Sequence, residues 1–93
     1  MTTTTLRQTH KATGEWTNLA ATITGAAGVS GFIKHLGGTD VEIIFGGAAQ
    51  PTADMRGTPL SQYGEEYCAG ASEIWVRGRF GASATLGFNV VEA

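Results

Sequence analysis

Apolar and polar residues alternate with a period of two along the segments 41–45, 72–80 and 83–91. Because successive side chains of a strand point to opposite faces, this pattern predicts β-strands that are buried on one face. No segment keeps a helical period over ten residues, and the 14 glycines favour tight turns over helices. The sequence therefore predicts an all-β fold, a small antiparallel β-sandwich or barrel of about 6–8 strands.

The alternation also assigns an inner and an outer face to each predicted strand. Ile74 and Val76 are expected to face the core from one strand. The residues interleaved with them, Trp75, Arg77 and Arg79, are expected to face outward. The expected core residues of the last strand are Ala84, Leu86, Phe88 and Val90.

Glycine and proline mark the connections between these strands. Gly37 and Gly38 lie between two apolar ribbons, which predicts a β-hairpin, because glycine tolerates the positive φ of tight hairpin turns. The segment 48–61 contains both prolines and is the longest irregular stretch. We expect this loop to cross from one sheet to the other.

The first part of the chain is divided into an arm and the start of the domain. Residues 1–14 are polar and rich in threonine, with Leu6 as the large apolar side chain, and they predict an extended N-terminal arm that is flexible or ordered by a partner. Ordinary fraying of the terminus is the alternative. Residues 15–93 are expected to form a single β-sandwich domain. Within it, Leu19, Ala21 and Ile23 would share one side of a strand, which predicts a strand over 15–24.

Length and composition predict that this domain associates with other chains. A single domain of 93 residues buries only about 60–65% of its unfolded surface, so its core is small. Cys68 is the single cysteine, which excludes an internal disulfide, and no Cys/His spacing predicts a structural metal. Oligomerisation is the remaining common source of stability.

Charge is sparse and argues against nucleic acid as a partner. The chain has 6 Lys and Arg, 8 Asp and Glu, and a net charge of −2, without a basic stripe. A low density of charge indicates that a protein partner covers part of the surface.

The sequence also predicts a protein that is made and folded in the cytoplasm. Four threonines follow Met1 in place of the apolar segment of a signal peptide, and no run reaches the length of a membrane span. We therefore expect no membrane partner. The unpaired cysteine agrees with a reducing compartment.

Residues that could perform catalysis are present but do not form a motif. His10, His35 and Cys68 could supply a base and a nucleophile, yet no local spacing pairs them, and Cys68 is expected to be a small buried apolar residue. Glu65 and Glu66 are adjacent, so on a strand they point to opposite faces. The sequence thus predicts no catalytic, metal-binding or cofactor-binding residue, and a protein that is not an enzyme.

Aromatic side chains are the best candidates for binding. Trp16, Trp75, Tyr63 and Tyr67 could stack on a sugar, and an exposed tryptophan can equally anchor a protein interface. An open shallow groove lined by both tryptophans would favour a sugar. Burial of the tryptophans in a core or an interface would favour protein contact. The residues predicted to lie in a protein interface are Leu6, Trp16, Ile44, Trp75 and Arg77.

From Phe32 onward the chain resembles small β-sandwich accessory proteins of tailed-bacteriophage virions. Such sequences contain a strand, a glycine-rich turn, a strand that ends in glycine and a loop that ends in a Leu-to-Gly-Glu step. A strand with an aromatic residue and a final strand rich in small and apolar residues follow. The matching segments here are LGGTDVEIIFGG, GTPLSQYGEEY, EIWVRG and ATLGFNVVEA.

The resemblance implies a structural protein on the capsid surface of a virion. The implied role is that of a capsid decoration (cement) protein, which stabilises the head by bridging subunits of the major capsid protein. It also implies a homo-oligomer, with a trimer favoured, and an arm that reaches a neighbour. A tail accessory protein and a glycan-binding adhesin module are the alternatives.

Overall fold

The computed structural model describes residues 2–92, which form two antiparallel β-sheets packed face to face. The all-β sandwich predicted from the sequence is therefore confirmed, although the described residues contain nine strands where about 6–8 were expected. Met1 and Ala93, the outer limits of the predicted arm and domain, lie outside the described residues.

The elements follow one another along the chain with few helical residues. A single helical turn, α1, spans Leu19–Thr22, and a 3₁₀ turn spans Arg79–Gly81. The strands are β1 (Thr2–Thr5), β2 (His10–Ala12), β3 (Thr17–Asn18), β4 (Ser30–Gly38), β5 (Val41–Phe45), β6 (Thr58–Leu60), β7 (Glu65–Ala69), β8 (Ile74–Gly78) and β9 (Ala84–Glu92).

Each sheet mixes strands from distant parts of the sequence. Sheet A has the order β1-β9-β4-β7, and β2 pairs with the same strand β9 as β1 does. Sheet B has the order β3-β8-β5-β6. The strand β9 is thus flanked by β4 on one side and by the N-terminal strands on the other.

The core lies between the two sheets and contains the residues that the alternation assigned to it. Ile74 and Val76 of β8 are fully buried, as predicted, and Val90 packs against the core from β9. Cys68 is fully buried as a small apolar residue, which confirms that prediction too. The largest fully buried side chains are Phe88, Leu19, Ile23, Ile33, Ile43, Ile74, Leu86, Val41, Val76 and Cys68.

The glycine turn after β4 does not form the predicted hairpin. The strand β4 belongs to sheet A and the next strand, β5, belongs to sheet B, so this turn carries the chain from one sheet to the other. Gly38 has φ +113, and a Cβ at this position would lie 2.6 Å from the carbonyl oxygen of Ser83. Glycine is therefore required here by close backbone contact as well as by its positive φ.

The long loop after β5 was also wrongly predicted, because it returns to the sheet that it leaves. The strands β5 and β6 are antiparallel neighbours in sheet B, with Val41 opposite Leu60. The crossing to sheet A follows β6, in the short turn 61–64. The loop 46–57 is therefore free to fold over the outer face of sheet B.

The segment 15–24 contains only two strand residues and a helical turn in place of the predicted strand. Leu19 and Ile23 are both fully buried, whereas Ala21 between them is exposed. A spacing of four residues places two side chains on the same side of a helix, which accounts for this pattern. The side-chain oxygen of Asn18 caps the turn by accepting from the Ala20 N–H at 3.1 Å.

The N-terminal segment lies along the domain and does not extend as an arm. Thr5 is opposite Asn89 and His10 is opposite Leu86, so both ends of the segment pair with β9. His10 and Ala12 are buried, and the Gly78 N–H donates to the carbonyl oxygen of Thr13 at 2.7 Å. Residues 10–13 are part of the sandwich and connect its two sheets.

Candidate functional site

The outer face of sheet B is covered by the loop 46–57, which Arg77 holds in place. One guanidinium nitrogen, Nη1, donates to the carbonyl oxygen of Ala53 at 2.7 Å. The other, Nη2, donates to the carbonyl oxygen of Met55 at 2.9 Å and to Glu42 Oε2 at 3.0 Å. Arg77 was predicted to face outward, and it does, but the loop buries it to 8% exposure.

Trp16 completes this cluster from the other side. The Arg77 guanidinium lies over the indole ring, whose Nε1 donates to the carbonyl oxygen of Thr52 at 3.2 Å. Gln50 donates from its side-chain amide to the carbonyl oxygen of Trp16 at 3.0 Å. Trp16 is only 4% exposed, so its indole face is used within the chain.

Glu42 remains charged in this buried setting because its partners compensate for its desolvation. Burial acts to raise the pKa of Glu42, but the hydrogen bonds from Arg77 and the Gly57 N–H and the positive charges of Arg77 and Arg56 outweigh it and lower the pKa. The two carboxylate oxygens have separate partners, since Oε1 accepts from the Gly57 N–H at 3.3 Å. Glu42 and Arg77 therefore form a buried ion pair that also holds the second half of the loop, through Ala53, Met55 and Gly57.

The other predicted interface residues are partly buried in two separate places. Trp75 lies opposite Ile44 on the outer face of sheet B, and its Nε1 donates to the carbonyl oxygen of Gly47 at 2.8 Å. Ile44 is half-buried on the same face. Leu6 packs against the core beyond the end of β1. The structure thus brings Trp16 together with Arg77, pairs Trp75 with Ile44, and leaves Leu6 on the other sheet.

The outer face of sheet A differs, because within residues 2–92 it keeps large exposed apolar side chains. Phe32 and Tyr67 lie opposite each other on β4 and β7, with ring centres 5.3 Å apart and ring planes at 64°. Leu36 lies over Gly87 and is 46% exposed, and Tyr67 is 49% exposed. We call this surface the A face, defined by Phe32, Lys34, Leu36, Tyr67 and Asn89.

Polar groups complete the A face. Lys34 lies opposite Glu65, the first residue of β7, which places one positive and one negative group side by side at this end of the strand pair. Asn89, opposite Phe32, has a buried side-chain oxygen with no hydrogen-bond partner. The sequence carries a signal for this face, since Phe32, Lys34 and Leu36 alternate with the buried Ile33 and His35. The predicted interface did not include these residues.

The two histidines with catalytic potential form hydrogen bonds with different partners and do not share a site. His10 Nε2 lies 2.7 Å from the hydroxyl of Thr17, and burial lowers the pKa of His10. His35 Nδ1 accepts from the Gly37 N–H at 3.2 Å, and its Nε2 is bonded to the carbonyl oxygen of Thr39. No group of three or more His, Cys, Asp or Glu side chains within residues 2–92 is arranged to hold a metal ion.

No protein-family model, curated protein or solved structure matches this chain. Along the described part of the sequence, no helix has the length and apolarity that a membrane span requires.

Proposed function

We propose that this chain is a non-enzymatic structural protein of a bacteriophage virion. In this role it is a capsid decoration protein that stabilises the head by bridging subunits of the major capsid protein, and the A face is its contact surface. The proposal combines the sequence resemblance with one structural observation, the difference between the two outer faces of the sandwich.

That difference carries the proposal. The outer face of sheet B is covered by the chain's own loop, which Arg77 holds with two hydrogen bonds. The A face instead presents the paired rings of Phe32 and Tyr67 and the exposed Leu36. Exposed apolar groups clustered on one face and bordered by charges are typical of a protein contact surface.

The size of the A face suits attachment by many copies. Its residues lie on three strands that are about 4.8 Å apart and about 15–30 Å long, which gives a face of roughly 200–400 Å². A stable pairwise interface buries about 800 Å² on each partner, so one A face alone gives a weak contact. Symmetric repetition on a capsid, or presentation by a trimer, multiplies this contact through avidity.

The tryptophans favour protein contact over sugar binding. An open groove lined by Trp16 and Trp75 was the feature that would have favoured a glycan-binding module. Trp16 is buried against Arg77, and both indole N–H groups donate to carbonyl oxygens of the loop 46–57. The indole face of Trp16 is therefore occupied within the chain, and Trp75 is bonded to the loop through its N–H.

The A face can be tested with two matched variants and empty heads assembled from the major capsid protein of the same genome. We expect Tyr67→Lys to weaken co-sedimentation with the heads by at least about tenfold, because it places a charge in an apolar contact. Tyr63→Lys is the control, since Tyr63 is 75% exposed in the turn 61–64. Equal binding by both variants would contradict the use of the A face.

Self-association is tested separately by native mass spectrometry of the isolated protein. A trimer is the expected species. A monomer at every concentration, together with no binding to the heads, would contradict the decoration role as a whole.

A further inference from the structure

The edge of sheet A formed by β7 is open along its length. β7 is the last strand in the order of the sheet and pairs with β4 alone. It has five residues, whereas the strands at the other sheet ends, β1, β3 and β6, have four, two and three. An open strand edge presents unpaired backbone groups that can pair with an extended segment of another chain. β7 is therefore the longest such edge in the part of the chain that the structure describes.

The hydrogen-bond pattern identifies the backbone groups of β7 that face away from β4. The His35 N–H donates to the carbonyl oxygen of Gly64 at 3.0 Å, one pair before the first residue of β7. Bonded and non-bonded pairs alternate along an antiparallel ladder, so Glu66 and Cys68 bond to β4. The residues whose N–H and C=O groups face outward are Glu65, Tyr67 and Ala69. Within residues 2–92, no hydrogen bond joins these outward groups to another element.

The side chains along this edge are accessible and carry negative charge. Glu65 and Tyr67 are exposed on the outer side of the sheet, and Glu66, on the inner side, is half-buried. Within the described chain, neither carboxylate has a hydrogen-bond or ion-pair partner. The inner side continues with Cys68, which is fully buried and apolar. An added strand would therefore meet two carboxylates at one end of β7 and apolar groups further along it.

We infer that β7 binds an extended segment of a partner protein as an added antiparallel strand, with basic residues opposite the two glutamates and apolar residues opposite Tyr67 and Cys68. Opposite charges on paired strands stabilise the pair, whereas a second copy of β7 would bring two further carboxylates to the same seam. The complementary partner segment is therefore basic and is not a second copy of this chain.

This inference rests on the proposed function, because the added strand would continue the A face. Tyr67 belongs to both surfaces, and its ring packs edge-on against Phe32. An apolar side chain opposite Tyr67 would extend this aromatic row outward. The added strand would also supply backbone hydrogen bonds to a contact whose area alone is small.

A peptide titration of the isolated protein tests strand addition directly. The probe is the end-blocked peptide Thr-Val-Val-Lys-Lys-Thr, which sets its lysines opposite the two glutamates when it lies antiparallel to β7. The control is Thr-Val-Val-Glu-Glu-Thr. In NMR spectra we expect saturable binding of the lysine peptide alone. At saturation, the amide protons of Tyr67 and Ala69 should exchange with solvent at least about fivefold more slowly. The amide protons of Glu66 and Cys68 are already bonded to β4 and should change little.

Two variants at Ala69 test the role of the backbone. Ala69→Pro removes an outward N–H and leaves the bonds to β4, and proline is tolerated on an edge strand at such a position. We expect it to weaken binding of the lysine peptide by about fivefold or more, whereas Ala69→Ser keeps the N–H and should bind as the wild type does. The exchange measurement on the unmodified protein decides the question if the proline variant does not fold. The inference is overturned if the lysine peptide does not bind saturably, if the glutamate peptide binds equally well, or if Tyr67 and Ala69 keep their exchange rates.

Binding to the capsid heads separates this inference from the proposed function. Loss of co-sedimentation in Tyr67→Lys but not in Ala69→Pro would support the A face as the contact and contradict strand addition there. Binding of the lysine peptide to β7 by a protein that does not bind the heads would support the strand site and contradict the decoration role.

Discussion

The guanidinium carbon of Arg77 lies 4.5 Å from the centre of the Trp16 indole ring. Trp16 directly precedes β3 and Arg77 belongs to β8, so the contact joins neighbouring strands of sheet B on their outer side. The loop 46–57 closes over both residues through hydrogen bonds from each of them. One arginine thereby connects two strands, a buried carboxylate and the longest loop of the described chain.

Removal of this arginine should destabilise the fold strongly. Arg77→Met leaves the Glu42 carboxylate buried without its ion-pair partner, and we expect a loss of about 3 kcal/mol in the free energy of unfolding, measured by urea denaturation. Arg56→Met is the matched control, because exposed Arg56 acts on Glu42 only through its charge, and about 0–1 kcal/mol is expected. A loss below about 1 kcal/mol for Arg77→Met would show that the cluster is dispensable for stability.

Stability should also fall between neutral and mildly acidic pH because of His10. The Thr17 hydroxyl bonds to His10 Nε2 and donates to the carbonyl oxygen of Val76, and the buried His10 Nδ1 has no partner. Protonation would thus place a charge and an unpaired N–H in the interior. Since burial lowers the pKa of His10 in the folded state, the unfolded chain binds the proton first.

The resulting stabilisation is complete above the unfolded pKa of about 6.5 and is lost as the pH falls below it toward the folded pKa. Thermal unfolding of the wild type and of His10→Gln at about pH 7.5 and about pH 5.5 measures the effect. The variant should lose most of the pH dependence in this window, where Glu42, with its lowered pKa, does not titrate. An unchanged pH dependence would assign it to other groups.

Truncation of the N-terminal segment should have two different outcomes. Deletion of residues 1–5 removes β1, in which Thr4 and Thr5 are exposed, and we expect a folded protein with only a small loss of stability. Deletion of residues 1–13 also removes the buried His10 and Ala12, and we expect an unfolded chain. Circular dichroism distinguishes the outcomes, and a folded 14–93 fragment would show that β2 is not part of the core.

A stabilising substitution is expected at Tyr63. Its φ is +64, the one positive φ of a non-glycine residue in the described chain, and its side chain is mostly exposed. Tyr63→Gly should raise the free energy of unfolding by about 0.5 kcal/mol, because glycine adopts this backbone conformation without a steric cost. Gln62→Gly, at negative φ next to it, should lower stability, and equal effects of the two glycines would contradict the explanation.

The alternation along the strands predicted burial well because it depends only on the period of the strand. It placed Ile74 and Val76 in the core and Trp75 and Arg77 on the outer face. It could not show that a distant loop covers that outer face, because the carbonyl oxygens that Arg77 binds belong to residues 22 and 24 positions away. The predicted interface therefore included Trp16 and Arg77, whose polar groups are already bonded to the loop 46–57 of the same chain.

Connections were harder to predict than strands. The two glycines at the end of β4 indicate a tight turn, but the same residues are compatible with a hairpin and with a crossing between sheets. The pairing of β4 with β7 and β9 decides between the hairpin and the crossing. These partner strands lie more than 25 residues away in the sequence. Likewise, the buried pair Leu19 and Ile23 fits both a strand and a helical turn until the exposure of Ala21 is known.

The central place of β9 in sheet A determines when this domain can fold. Every other strand is synthesised before β9, yet β1, β2 and β4 all hydrogen-bond to it. During translation, the edges of β1, β2 and β4 that pair with β9 therefore stay unpaired until β9 is synthesised. This slows folding and exposes these edges to association with other nascent chains. A ribosome stalled shortly before residue 84 would carry a chain that is protease-sensitive throughout sheet A.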